Sequence, residues 1–323
     1  QSVFNQLKLR ASWGKTGNQE FPAFASQETY VAGQQSFNRS TLENPDLKWE
    51  TSTTINIGLD FAIAKNRLYG SIDYFDKKTS DILFDRDLAD PVPVGSASTW
   101  VNLPGKILNS GVEAMLNYLV IKNSNFSWDV GVNATWLKNK ITGFGQLVIP
   151  TGGLSGQGIS GTTIQRFVDN KPLNVYYLRE YRGINREGQA ELVDDGASFF
   201  YLGDPNPDFL LGFTTNLSYK KFNLEISMNG AFGHQVYNNT ANTVLPINNL
   251  GTRNIAKSLL DLNPQEALSS PITASSRYME AGDYMKLTNA TLSYNLGGFG
   301  RVVKSSTLFL TGQNLFVITG FSG

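Results

Sequence analysis

The sequence predicts an all-β chain: a segment of an antiparallel transmembrane β-barrel, with about nine long strands and long extracellular loops. Three observations carry this. Strand-like segments alternate apolar and polar residues over lengths that a bilayer demands. Their connections alternate between short and long. The composition is polar, with no run of ~18 or more apolar residues, which excludes helical spans but not spanning strands.

The clearest strand is WETSTTINIGLDF, Trp49 to Phe61. Trp49, Thr51, Thr53, Ile55, Ile57, Leu59 and Phe61 form one alternating set. Glu50, Ser52, Thr54, Asn56, Gly58 and Asp60 form the other. Side chains two apart share a strand face, so one face is apolar or methyl-bearing and the other polar or small. Twelve steps of about 3.3 Å, tilted by about 40°, rise roughly 30 Å, which matches an apolar band with its aromatic girdles. A half-buried strand of a soluble sheet is the alternative for this segment taken alone.

The bulk numbers agree with the barrel. Lys plus Arg and Asp plus Glu are 27 each, so nothing points to nucleic acid or an acidic substrate. Only 17% of residues are charged and 12% are aromatic, and mean hydropathy is −0.21. The 31 glycines suit a turn-rich β protein. Without cysteine there are no disulfides, no thiol catalysis and no thiolate-bound metal. The chain starts at Gln1 with no charged-then-apolar leader, so we expect a removed leader or a piece of a longer chain.

The first strand is expected at Leu7 to Trp13, followed by a polar stretch from Gly14 to Leu47. The second is Trp49 to Phe61, with a turn at Lys65-Asn66. The third runs from Leu68 to Leu83 and is less regular, with Tyr69 and Phe75 on the face of Ser71 and Asp73. A loop from Asp85 to Leu108 leads to the fourth, Val112 to Val120. A turn from Lys122 to Asn125 leads to the fifth, Phe126 to Trp136. The longest irregular region, Thr142 to Asp208, precedes the sixth strand, Phe209 to Tyr219. Lys220-Lys221 turns into the seventh, Phe222 to Phe232. Gly233 to Gly282 is a long loop, with a short helix expected at Asn254 to Leu262, before Pro264. The eighth strand, Tyr284 to Leu296, and the ninth, Ser306 to Phe316, flank a glycine-rich turn at Gly297 to Gly300.

Turns of a few residues thus follow the even strands, and loops of tens of residues follow the odd ones. Outer-membrane barrels have this asymmetry, with short periplasmic turns and long extracellular loops. Parity then puts residues 142–208 outside the membrane. The strand-like Val175 to Tyr181 within it should be half of an extracellular hairpin, turning at Asn185 to Gly188 and returning through Gln189 to Val193. Nine strands do not close by themselves, and open edges in lipid cost several kcal/mol per unpaired group, so partners are expected from elsewhere.

Several stretches, in order, resemble the C-terminal barrel half of the SusC/RagA family of TonB-dependent outer-membrane transporters. They are LRASWGKTGNQ (Leu9–Gln19), NPDLKWET (Asn44–Thr51), NSGVEA (Asn109–Ala114), FSWDVGVNATWLKNKI (Phe126–Ile141), GDPNPDFLLGF (Gly203–Phe213), RYMEAGDYMKLTNATLSYNL (Arg277–Leu296) and GQNLFVIT (Gly312–Thr319). The resemblance implies a barrel of about 22 strands. Residues 1–323 would then supply about strands thirteen to twenty-one, without the plug, the N-terminal barrel strands or the last strand. It further implies import of large nutrients (glycans, oligosaccharides or peptides) with a SusD-like surface lipoprotein as lid. TonB would supply energy through the plug. A passive or structural outer-membrane barrel in a larger assembly is the alternative, and a secreted β-rich adhesin or enzyme is a third.

No catalytic constellation is legible, and no enzyme activity is expected. The single histidine, His234, has no evident nucleophile or orienting acid nearby in sequence. Asn185 to Glu191 lies where many relatives carry a calcium-loop-like stretch, but Arg186 and Gln189 stand in place of acidic ligands, so no cofactor or metal is expected. Asp204 to Asp208 reads as turn chemistry, and Gly152 to Gly161 does not open a helix as a phosphate loop would. The candidate substrate or partner contacts are Trp100, Phe199, Phe200 and Tyr201, or else these rings fold the loops against one another. The candidate membrane-interface aromatics are Trp13, Trp49, Phe61, Tyr118, Phe126, Trp128, Trp136, Tyr219 and Phe222. Glu50, Asp60, Glu113, Asp129 and Glu225 are expected to line the lumen or touch the plug.

Overall fold

The computed structural model describes all residues except 1–2, 34–36, 89–97, 157 and 323. Nine long strands form one antiparallel meander: β1 (Phe4–Asn18), β2 (Glu50–Ile63), β3 (Leu68–Asp87), β4 (Ser98–Lys122), β5 (Phe126–Thr142), β6 (Phe209–Tyr219), β7 (Phe222–Phe232), β8 (Tyr284–Asn295) and β9 (Thr307–Thr319). Each pairs with its neighbours in chain order, so β1 and β9 are the two edges among the described residues.

Register carries the alternation of each strand across the whole sheet. Leu9, Leu59, Ile72, Ala114, Ala134, Leu211, Gly230, Met285 and Ile318 lie opposite one another in one row. The row contains no polar side chain, and Leu9, Ile72 and Ile318 are exposed on its surface. A neighbouring row on the other face runs Lys8, Asp60, Ser71, Met115, Asn133, Gly212, Asn229 and Lys286, polar or small at all but Met115. A slip of one residue would exchange the two faces, so this pattern pins the register. On the polar face Arg10 bridges two strands, with Nη2 at 2.7 Å from Asp60 Oδ1 and 2.8 Å from Asp73 Oδ1.

The β2–β3 turn, Ala64–Arg67, has three successive residues in the left-handed region: Ala64 (φ 53°), Lys65 (58°) and Asn66 (62°). Non-glycine residues rarely adopt this conformation. Asn5 of β1 holds it, its Oδ1 accepting from the Lys65 amide at 2.8 Å.

Four expectations need correction. The segment read as a loop from Asp85 to Leu108 is largely strand, since β3 reaches Asp87 and β4 begins at Ser98; residues 89–97 lie outside the described residues. The proline, glycine and serine content of this segment reads as loop, but Pro104 and Gly105 sit at a bulge, where the register shifts between Ser80↔Lys106 and Ile82↔Leu103. A bulge leaves a residue unpaired, so the proline amide is not missed. Asp81 opposite is left-handed, at φ 54°. Second, Val175 to Tyr181 is not one strand. Val175–Leu178 joins a four-stranded sheet with Val148–Gly153, Thr163–Val168 and Phe200–Tyr201, whereas Tyr181–Ile184 pairs with Ala190–Leu192. The break comes at Arg179, which bridges to Ser275 instead.

Third, Asn254 to Leu262 contains only a 3₁₀ turn at Lys257–Leu259, with no side-chain cap. The α-helix of the loop is instead Asn239–Thr243, started by the Asn238 side chain accepting from the Ala241 amide at 2.9 Å. Fourth, the last connection is longer than Gly297–Gly300, spanning residues 296–306 with a Phe299↔Val303 bridge. The stretch after β1 also holds a hairpin, Thr29–Ala32 with Phe37–Thr41.

Candidate functional site

The long connections gather at one end of the sheet and build most of the buried core there. One cluster is Ile82, Leu103, Ile141 (fully buried) and Phe144, packed by Phe84, Val101, Leu147 and Phe167. It joins the projecting ends of β3 and β4 to the four-stranded loop sheet. A second cluster, Ile164, Tyr176, Leu178, Tyr237 and Ala274, joins that sheet to the 233–282 loop. Burial of this apolar area orders segments that have few long-range sheet pairings.

Between the β3–β4 projection and Leu147–Pro150 lies a cleft of about 710 Å³. Phe84, Val101, Leu147 and Ile149 give it apolar walls, and Asn44, Asp46, Asp85 and Arg86 bring polar groups to it. Asn102 fastens the first long loop here: its Nδ2 donates to the carbonyls of Lys48 and Asp81, both at 2.8 Å, and its Oδ1 accepts from the Lys48 amide at 2.8 Å. Asp46, Asp85 and Arg86 have no ion-pair partner among the described residues. The size, apolar lining and few convergent polar groups are those of a ligand pocket.

Trp100 belongs to β4 rather than to a loop. It lies opposite Asp85, and its carbonyl accepts from Asn44 Nδ2 at 2.8 Å. It therefore stands in the strand that lines the cleft. Phe199, Phe200 and Tyr201 come together elsewhere. Phe200 and Tyr201 pair with Leu178 and Tyr177. Tyr177 stacks on Phe199 at 5.5 Å and tilts against Tyr201 at 4.8 Å. Cations cap the stack: Arg179 over Phe199 at 4.5 Å, Arg166 over Tyr177 at 5.0 Å and Lys171 over Tyr201 at 5.3 Å. Ring faces engaged this way hold the loops together. Tyr201 is the most open of the set, 40% exposed. Tyr177, central to the stack, was not singled out from sequence, although it lies in the strand-like stretch Val175 to Tyr181.

The interface candidates fall into two groups. Near the short turns, Phe126, Tyr219, Phe222 and Tyr294 lie opposite one another in one row across β5 to β8. Phe61, Tyr118 and Trp128 also lie toward this end of their strands. Toward the other end, Trp136, Phe209 and Phe232 form a second row. Trp13 of β1 and Trp49, just before β2, lie toward that end as well. Phe209 and Tyr219, the two ends of the 11-residue β6, are ten residue steps apart. That is about 34 Å of strand, or roughly 25 Å of height at a tilt of about 40°.

Other candidates resolve into turns and packing. Asn185 Oδ1 accepts from the amides of Glu187 (3.1 Å) and Gln189 (2.8 Å), and Asp204 Oδ1 accepts from the Asn206 amide at 2.8 Å. These are side-chain-to-backbone turns. His234 Nδ1 lies 4.0 Å from Asp283 Oδ1, and the Gly233 amide donates to that same oxygen at 2.8 Å. The 233–282 loop is pinned by a bidentate pair, Arg277 Nη1 and Nη2 to the two Glu266 oxygens, each at 2.7 Å. Burial alone would lower the Arg277 pKa, but the Glu266 carboxylate holds it above its ordinary value. Tyr181 and Tyr278 present rings to the same guanidinium at 5.2 and 5.6 Å.

The model of the TonB dependent receptor-like, beta-barrel family matches residues 2–315. TonB-dependent receptor P3 of Formosa agariphila is 30% identical over 98% of this chain and 35% of that protein. TonB-dependent receptor SusC of Bacteroides thetaiotaomicron is 26% identical over 100% of this chain and 35% of that protein. The chain thus spans about a third of the length of these relatives. Among solved structures, the RagAB peptide transporter superposes on 100% of this chain and 38% of its own, with TM-score 0.83 and 22% identity. The RagAB peptide importer in its open-open state gives TM-score 0.81 at 23% identity. The chain belongs to the TonB dependent receptor-like β-barrel family, is of SusC/RagA type, and forms part of the wall of an outer-membrane barrel.

Proposed function

We propose that this chain is part of a TonB-driven importer of large nutrients, supplying about strands thirteen to twenty-one of a barrel of about 22. The carrying observation is the nine-strand meander with a built-up cap at one end and bare turns at the other. In this reading the long connections are extracellular and the short turns periplasmic, as in outer-membrane barrels generally. The exposed apolar row faces lipid, the polar row lines the lumen, and the two aromatic rows mark the membrane interfaces. The edges β1 and β9 pair with further strands of the same barrel, because open edges do not persist in lipid. The plug and the segment that contacts TonB lie in other parts of the protein.

The cap is where selection takes place. A cleft with apolar walls and a carboxylate–guanidinium rim suits an elongated ligand such as a peptide or oligosaccharide, with the Phe84 ring in its wall. The RagAB neighbours are a peptide transporter and importer by their titles. A SusD-like lipoprotein would close over the same end. The test is genetic and biochemical. Deletion of the full-length gene should abolish growth on either oligopeptides or oligosaccharides as sole source, and a surface lipoprotein should co-purify with the intact protein. Unimpaired growth on both, with no co-purifying lipoprotein, refutes the reading.

A further inference from the structure

We propose that the short-turn rim of the barrel binds anionic phospholipid headgroups of the leaflet it faces, so that the transporter carries a selected lipid collar. The proposal rests on the reading of the short turns as periplasmic. Its basis is a segregation of charge that the chain's zero net charge conceals.

The four short connections, together with Lys122 at the end of β4, carry Lys65, Arg67, Lys122, Lys220, Lys221, Arg301 and Lys304, and the connections hold no Asp or Glu. The long connections have the opposite bias. Residues 143–208 carry five basic against eight acidic side chains, 233–283 three against four, and 19–49 two against four. All seven rim cations are exposed. None forms an ion pair among the described residues, whereas Arg10, Arg39 and Arg277 of the wall and cap all do. Arg67 is held in place without being neutralised, donating from Nε to the Leu119 carbonyl at 3.2 Å and from Nη2 to the Val120 carbonyl at 2.5 Å.

Position distinguishes this rim from an ordinary solvated surface. Lys122, Lys220 and Lys221 stand directly beyond the row Phe126–Tyr219–Phe222–Tyr294, Arg67 lies against the residues that follow Tyr118, and Lys220 Nζ lies 5.3 Å from the Tyr219 ring centre. Aromatic rings at the headgroup level with Lys and Arg just beyond them form an interfacial anchor. The longest turn adds apolar residues that would enter that layer: Phe299 is 56% and Val302 90% exposed, flanking Arg301. Clusters of ~4–8 basic residues at a membrane surface recognise anionic headgroups through their phosphates. The area faces a bilayer edge-on, which favours lipid over a soluble acidic protein as the occupant.

The experiment uses the full-length transporter in phosphatidylcholine vesicles containing spin-labelled phosphatidylglycerol or spin-labelled phosphatidylcholine, with the protein-associated fraction read by electron paramagnetic resonance. Phosphatidylglycerol should associate about threefold or more in preference, and salt should reduce this. Replacing the seven cations by Gln should bring the preference to about one, while R182Q/R186Q/R253Q/K257Q in the cap should leave it unchanged. Should the sevenfold variant not fold, R301Q/K304Q alone should lower the preference measurably. Equal association of both lipids in the unaltered protein overturns the proposal, as does a preference that survives loss of the seven charges. Retention of an acidic periplasmic protein without lipid preference would assign the rim to that partner and overturn it likewise. A membrane-impermeant maleimide on N66C separates the two readings: labelling in intact cells refutes the periplasmic assignment, and labelling only after permeabilisation supports it.

Discussion

The wall and the cap of this molecule solve opposite problems with the same kinds of residue. In the wall, Leu9, Ile57, Ile72 and Leu292 stand exposed, and few apolar side chains between the two aromatic rows are buried, notably Ala62, Ala231 and Leu287. In the cap, Ile141, Phe144, Ile164, Leu178 and Ile247 are all buried. Where lipid is the solvent, an exposed Leu or Ile costs nothing and the backbone ladder supplies the order. Where water is the solvent, the same residues must find one another, and loops acquire cores. The polar groups follow suit. Arg10, Asp60 and Asp73 pair across the open face of the wall, whereas Arg277 and Glu266 pair in the interior of the cap.

The largest effect that would sharpen this contrast is E266A. It leaves the Arg277 guanidinium buried and unpaired, which costs about 3–5 kcal/mol. Limited proteolysis of the full-length protein should then open cleavage sites between residues 233 and 283 while the barrel stays heat-resistant. Loss of the whole barrel would break the distinction between the two regions.

A smaller effect is expected in the wall. I57R places a charge on the apolar face and should destabilise refolding into vesicles by roughly 2–4 kcal/mol, whereas N56R on the other face should cost far less. Equal costs would mean that the two faces are assigned wrongly.

The smallest effect depends on pH. Glu280 is held below the usual carboxylate range. Burial pushes its pKa up, but hydrogen bonds from the Ser322 amide, the Asn238 side chain and the Ser322 hydroxyl outweigh it. A depressed folded pKa contributes stability above the unfolded value that is lost as pH falls through the folded one. Proteolytic protection of the Met279–Ala281 region should therefore persist at neutral pH and weaken under acid conditions below the ordinary Glu range, and E280Q should remove that pH dependence.

Much of the wall was legible because its signal is local. Period-two alternation in Trp49 to Phe61 and a break at Lys65-Asn66 need only neighbouring residues to be read, and the short–long alternation of connections needs only chain order. The cap was less legible. The β3–β4 projection was hidden by Pro104 and Gly105, whose role at a bulge depends on the partner strand. The stretch Val175 to Tyr181 reads as one strand, yet it divides at Arg179 because Ser275, nearly a hundred residues later, takes its pairing.

Sequence alone therefore determined the strands, their order and the two faces of the sheet, since each follows from side chains two residues apart on one segment. Tertiary structure alone decided the stack of Phe199, Tyr177 and Tyr201 under three cations, the cleft beside Trp100 and the Arg277–Glu266 pair. Each of these joins segments far apart in the chain, and only the packing of one loop on another, driven by removal of their apolar residues from water, brings such partners within reach.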